Sequence, residues 1–309
     1  MKPWIKGAAA GVGALLGGVI VATAFGSIAW SRATSRTVER LTTSTPRAGA
    51  EIFSPEQLEG LPAPVARYFG LVLTPGQPLI RSARIEHEGE FRTGLDAPWN
   101  PFHSVQHFTA DPPGFVWDAS IRMAPLMNVR VRDSYIGGSA GMRGAVAGLV
   151  PVVDQQGTPD LAAGALHRYL AEAVWLPTAL LPSQHVVWEA VDDSTALVTL
   201  SDSGITVTWT VHFSAAGEIV RVEGERLRDV DGVGVPTPFV GHHRSSHADP
   251  TLTRCFRGLP GIVAGCSAAG RPTSSSRRAT IHIAMVPSTR NPPIGPMTSA
   301  AVSEIPARS

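Results

Sequence analysis

The stretch HVVWEAVDDSTALVTLSDSGITVTWTVHFSAAGEIVRVEGERLR, residues 185–228, decides the fold. Within it Ile205, Val207, Trp209, Val211 and Phe213 alternate with Thr206, Thr208, Thr210 and His212. A period of two is that of a strand with one buried and one wet face. The runs 185–191, 195–201, 205–213 and 218–228 are separated by Asp192-Asp193-Ser194, Asp202-Ser203-Gly204 and Ala215-Ala216-Gly217. Short polar or glycine-containing breaks between alternating runs are hairpin turns, so the stretch predicts a four-stranded antiparallel meander.

The same period recurs upstream. Ile85, His87, Gly89 and Phe91 oppose Arg84, Glu86, Glu88, Glu90 and Arg92; Phe115, Trp117, Ala119 and Ile121 form a second face, and Met127, Val129 and Val131 a third. Ser54-Pro55-Glu56-Gln57 reads as a capping box opening a short helix through Leu61, and a second helix runs from Pro64 to a stop at Gly70. One longer helix interrupts the strands: Thr158 caps it, Pro159 starts it, and Leu161, Ala165, Leu166, Tyr169, Leu170 and Ala173 make an apolar stripe before Pro177. A sheet of eight or nine such strands must curl. The expected fold is therefore β-rich α+β, a curved antiparallel sheet resembling a half-barrel, covered by the helix that ends in Trp175-Leu176-Pro177.

Residues Gly7 to Trp30 hold no charge over 24 positions and are flanked by Lys2 and Lys6 before and Arg32, Arg36 and Arg40 after. That length suffices for a transmembrane helix. The rival is a cleaved signal peptide with Ala22-Thr23-Ala24 at its cleavage site. The expected organisation is an anchor or signal peptide over 1–30, a juxtamembrane linker over 31–53, a β-rich domain over 54–244 and a low-complexity tail over 245–309. The short basic start places the body outside the cytoplasm as a single-pass protein of the cell membrane. A net charge of +1 across 309 residues is not the footprint of a nucleic-acid binder, and two cysteines are too few for a disulfide scaffold.

Leu61-Pro62-Ala63-Pro64-Val65-Ala66-Arg67-Tyr68, Gly89-Glu90-Phe91, Pro98-Trp99-Asn100-Pro101-Phe102, Pro113-Gly114-Phe115-Val116-Trp117, Arg168-Tyr169-Leu170-Ala171-Glu172 and Trp175-Leu176-Pro177 together resemble the bacterial domain of unknown function 6544 over residues 55–244. The resemblance implies an anchored or exported, strand-rich bacterial protein and assigns no catalytic or binding residue. After Arg244 the chain departs from that pattern. Residues 245–309 lack Trp and Tyr and hold both cysteines, Cys255 and Cys266, which reads as a disordered tail or an out-of-frame translation.

A half-barrel encloses apolar space. Phe91, Trp117, Trp175, Trp188 and Trp209 are the candidate ligand-binding residues, the alternative being that such rings fill an ordinary core. His87, on an inward strand face, is a candidate general base with Asp118 or Asp133 as its orienter. His103 and His107 have the i,i+4 spacing of helical metal ligands but sit in a strand, and the His242-His243-His247 group borders the tail, so no metal site and no cofactor are expected. Glu172 is expected to pair with Arg168 four residues earlier, and Gly137, Gly138, Gly141 and Gly144 lack the strand-loop-helix context of a dinucleotide fingerprint. The expected function is binding of a lipid or other hydrophobic small molecule at the cell envelope, with the bilayer as partner and the oligomeric state open. The alternatives are a hydrolase-type enzyme using His87, and a structural or interaction domain without a ligand.

Overall fold

The computed structural model describes residues 3–44, 51–91, 98–125, 127–230 and 233–243, without the side chains of residues 3–12, 15, 16, 228–230 and 233. The expectations for 245–309, including His247 and both cysteines, lie outside the described residues. Two antiparallel sheets carry the fold. The first, sheet A, holds β1 (Ser82–Phe91), β2 (Asn100–Thr109), β3 (Gly114–Ala124), β4 (Met127–Ile136), β5 (Ser139–Val146) and β6 (Val150–Gln156), side by side in chain order. The second, sheet B, holds β7 (Val186–Asp192), β8 (Thr195–Asp202), β9 (Ile205–Phe213), β10 (Ile219–Val230) and β11 (Val233–His242) in the same up-and-down manner. The meander expected over 185–228 is present and gains β11 as a fifth strand.

The expectation of one curved sheet is corrected: the strands divide between two sheets, and no barrel closes. The physical reason lies between β6 and β7. There the chain forms α3 (Pro159–Glu172), capped by Thr158 Oγ1 accepting from the Leu161 amide, and continues through two short 3-10 turns. From Ala162 to Glu172 the helix is buried at every position but two, Ala163 aside from His167 being the less covered ones. A helix buried on all sides is sandwiched rather than laid on a surface. On one side Tyr169 stacks on Phe108 at 4.4 Å and donates to the Thr109 carbonyl. On the other, the His167 carbonyl accepts from Trp209 Nε1 at 2.8 Å, and a methyl group at Gly164 would fall 3.1 Å from the Leu227 carbonyl oxygen. Sheet A, α3 and sheet B thus form three layers. The helix α2 (Ala63–Val72) adds Tyr68 and Phe69 against Phe213 and Trp188.

One end of the two sheets is tied together directly. The β4–β5 turn, Gly137-Gly138, and the β8–β9 turn, Ser203-Gly204, have positive φ at both central residues, as two-residue hairpins require. The turns touch, since a methyl on Gly138 would meet the Ser203 side chain. Beside them Tyr135 Oη donates to Asp202 Oδ2 at 2.6 Å, with both groups buried.

The C-terminal half of α1 (Pro3–Thr43) lies across β2, β3 and β4 on the outer face of sheet A. Residues 31–43, part of the stretch read as a linker, continue this helix. Trp30 Nε1 donates to Asp118 Oδ1 at 2.9 Å and Thr34 Oγ1 to Asp118 Oδ2 at 3.0 Å. Arg130 Nη2 reaches both Asp118 oxygens, and Arg132 donates to Thr34 Oγ1 while its guanidinium lies 4.9 Å from the Trp30 ring centre. Leu41 is buried against Gly114, where a methyl would lie 2.6 Å from Leu41 Cδ1. No helix among the described residues is long and apolar enough to cross a membrane; within the Gly7–Trp30 run the side chains of residues 7–12, 15 and 16 lie outside the described set.

The alternation in β9 is the one read from the sequence: Trp209 is 1% exposed, whereas Thr208 faces water. Trp209→Ala is expected to cost about 3 to 5 kcal/mol and Thr208→Leu under about 0.5 kcal/mol, measured by chemical denaturation. Equal losses would reverse the assignment of the two faces.

Candidate functional site

Three side chains of sheet A make a lateral row beneath α3, because their strands pair Gln106 with Trp117 and Trp117 with Asp133. Each occupies an inward position of its strand's two-residue period, and all three are buried. Two residues along each strand, toward the end at Phe91 and Asn100, a second row on the same face pairs His87 with Ser104 and Ser104 with Ala119.

Arg168 reaches this row from α3. Its Nη1 donates to Asp133 Oδ2 at 2.7 Å and its Nε to Glu172 Oε1 at 2.9 Å, while Glu172 Oε2 accepts from Gln106 Nε2 at 2.9 Å. The guanidinium lies 4.8 Å from the Trp117 ring centre and 5.1 Å from that of Phe115. Burial disfavours its charge, but Glu172 and Asp133 outweigh this and hold its pKa above the ordinary arginine value. From β10 the half-buried Arg226 joins the same electrostatic cluster, its pKa pushed down by burial and then by Arg168.

His87 is fully buried and lies against the half-buried Trp175, with ring centres 4.7 Å apart. Its Nδ1 is 3.3 Å from Ser104 Oγ. Burial, and then the positive charge of Arg168, push its pKa down to about 4, so the ring is neutral at pH 7. His87 Nε2, Gln106 Oε1, Trp117 Nε1, Arg168 Nη2 and Arg226 Nε are buried without a protein partner. Each such atom costs about 1 to 3 kcal/mol if left dry. The cluster therefore holds unpaired donors on Trp117, Arg168 and Arg226, an unpaired acceptor on Gln106, and an unpaired ring nitrogen of either role on His87.

The residues read from sequence are distributed unevenly around this cluster. His87 and Asp133 both face inward, but β2 and β3 separate their strands, roughly 14 Å at about 4.8 Å per strand, and Asp133 serves Arg168. Asp118 faces the opposite side and holds α1. The pairing of His87 with Asp118 or Asp133 is thus not assembled. Trp117 and Trp175 border the cluster. Trp188 and Trp209 belong to the main core, where their indole nitrogens donate to the Leu180 and His167 carbonyls, and Phe91, at the end of β1, packs against that core partly buried. The Arg168–Glu172 pair forms as expected at its i,i+4 spacing. His103 and His107 are on the outward face of β2, and among the described residues no group of three or more His, Cys, Asp or Glu is arranged to hold a metal.

Gln106 and the second partner of Arg168 were missed by sequence reasoning. Two signals were present. Gln106 alternates in phase with Phe102, Ser104 and Phe108, and Arg168 falls seven residues after Leu161 and three after Ala165, in line with the apolar stripe of its helix.

The chain is therefore an antiparallel β-rich α+β protein with a buried polar cluster at its helix-sheet interface. The profile described as "Family of unknown function (DUF6544)" matches residues 51–248, and the chain belongs to that family. A search of curated proteins and one of solved structures find no match.

Arg168→Met should destabilise the protein by about 3 to 5 kcal/mol by leaving Asp133 and Glu172 buried without a counter-charge. Adding Asp133→Asn and Glu172→Gln should restore most of the loss in denaturant titrations. No recovery would mean that packing, rather than charge, dominates at this position.

His87 also gives a pH dependence of defined sign. Its pKa is about 4 when folded and 6.5 when unfolded, so between these values the unfolded chain binds more protons and stability falls as pH falls, by about 1.4 kcal/mol per pH unit. His87→Phe should remove that slope between pH 6.5 and 4, read from denaturation midpoints. An unchanged slope would show that His87 is not the group responsible.

Proposed function

We propose that this protein is held at the cell envelope by its N-terminal helix and binds a lipid or other amphipathic molecule between sheet A and α3. The observation that carries the reading is the set of buried polar atoms around Arg168 that lack protein partners. Grouped beside Trp117 and Trp175 in an otherwise apolar interior, they suit a ligand with a polar head and an apolar body. The 24 uncharged residues from Gly7 to Trp30 support the anchor. So does the attachment of α1 through Trp30 and Thr34, which makes the base of that helix part of the folded body. The lowered pKa of His87 and its separation from Asp118 and Asp133 leave the hydrolase reading without an assembled dyad.

The full chain, purified in mild detergent, is expected to carry a stoichiometric amphipathic molecule visible by native mass spectrometry and identified in the organic extract. Trp117→Phe keeps an aromatic ring beneath Arg168 while deleting the indole donor together with part of the ring volume, so occupancy should drop while the melting profile stays cooperative at a lower midpoint. Wild-type protein free of any organic ligand would overturn the proposal in favour of a structural or interaction domain.

A further inference from the structure

We infer that the end of sheet A from which α1 departs is a lipid-facing rim that rests on the bilayer surface. The inference builds on the proposed anchoring of α1. Strand register defines this end, because Gly89, Phe102, Ile121, Val129, Val146 and Val150 form one continuous row across all six strands. Just beyond that row are Trp99, Met127 and Leu149, each about two-fifths exposed, and Val150 itself is 61% exposed. Val152 and Val153 extend the exposed apolar surface along the outer strand β6. The opposite end of the sheet is occupied differently, by the Gly137-Gly138 turn and the Tyr135–Asp202 bond to sheet B.

The level of this rim relative to α1 is set by a close contact between small residues. A methyl on Gly26 would lie 2.5 Å from Leu149 Cγ, and one on Gly148 would lie 3.0 Å from the Gly26 carbonyl oxygen. The β5–β6 turn therefore abuts the helix at Gly26, inside its uncharged run and one turn before Trp30. On the far side of Gly26 from the body, Val19, Ile20, Val21 and Phe25 are exposed apolar residues. On the near side the charges begin, with Arg32 and Arg36 exposed on the helix, and Arg122, one residue beyond Ile121 on β3, places an exposed cation at the rim itself. An apolar tier followed by a basic tier matches the acyl and anionic headgroup layers of a membrane, where an aromatic such as Trp99 sits at the boundary. If residues before Gly26 enter the bilayer, the turn at Ala147–Leu149 and its neighbours reach the headgroup level with them.

The test uses the full chain with Cys255→Ser and Cys266→Ser, reconstituted in phosphatidylcholine–phosphatidylglycerol vesicles. Val150→Cys, Val19→Cys and Glu189→Cys, the last on the exposed face of β7, are each labelled with an environment-sensitive fluorophore. Doxyl-labelled lipid should quench the probes at 19 and 150 and leave that at 189 bright. Quenching at 19 without quenching at 150 overturns the rim and leaves the anchor standing. Quenching at neither position overturns the anchor, and the rim with it. A probe at 150 that is protected from aqueous iodide yet not quenched by doxyl lipid would mean that a second copy of the chain covers β6, which also overturns the inference.

Discussion

A guanidinium enclosed between a helix and a sheet must be neutralised where it lies, and the neutralisation of Arg168 determines how the layers of this protein meet. Burying an arginine without partners is prohibitive, whereas two carboxylates and aromatic faces make it tolerable. One carboxylate, Glu172, comes from the same helix and fixes the rotamer locally. The other, Asp133, comes from β4 and fixes the helix on the sheet. Gln106 closes the chain of bonds by holding Glu172 from β2. Three separate elements are pinned around one charge, and sheet B is then packed against the opposite side of the same helix through Trp209 and His167.

Sheet A carries a second charged device on its other face, and the two-residue period of its strands keeps them apart. Trp117 and Asp133 point toward α3, whereas their sequence neighbours Asp118 and Arg132 point toward α1. The inner device is closed off from water and groups several polar atoms without partners; in the outer one, which is partly exposed, both Asp118 oxygens are bonded and Arg130 Nε alone is left without a partner. The outer device satisfies one carboxylate from three side chains and so attaches a helix, whereas the inner one leaves donors and acceptors on five side chains unpaired. That difference is why the ligand proposal rests on the inner cluster and the anchoring proposal on the outer one.

The two proposals converge on one end of the molecule. The His87–Ser104 row lies between the polar row and the apolar end of sheet A, with Trp175 beside His87. An amphipathic molecule leaving a bilayer at that rim would meet aromatic surface before it met the polar cluster. The physical logic is a gradient from apolar to polar along the inner face of one sheet.

The sequence determined the strands, their faces and the turns, because each rests on a period of two and on residues that tolerate tight turns. The meander at 185–228, the inward set of β9 and the α3 cap at Thr158 are local facts of this kind. It also determined the Arg168–Glu172 pair, a matter of one helical turn. Whether the strands formed one sheet or two was not written locally, since strand pattern does not say what the connection over residues 157–185 between β6 and β7 will pack against; α3, buried on both sides, decided it. The same holds for the partners of Arg168 and for the docking of α1 on Asp118. Those contacts join residues 35 and 88 positions apart, and only the pairing of the strands brings such groups within hydrogen-bonding distance.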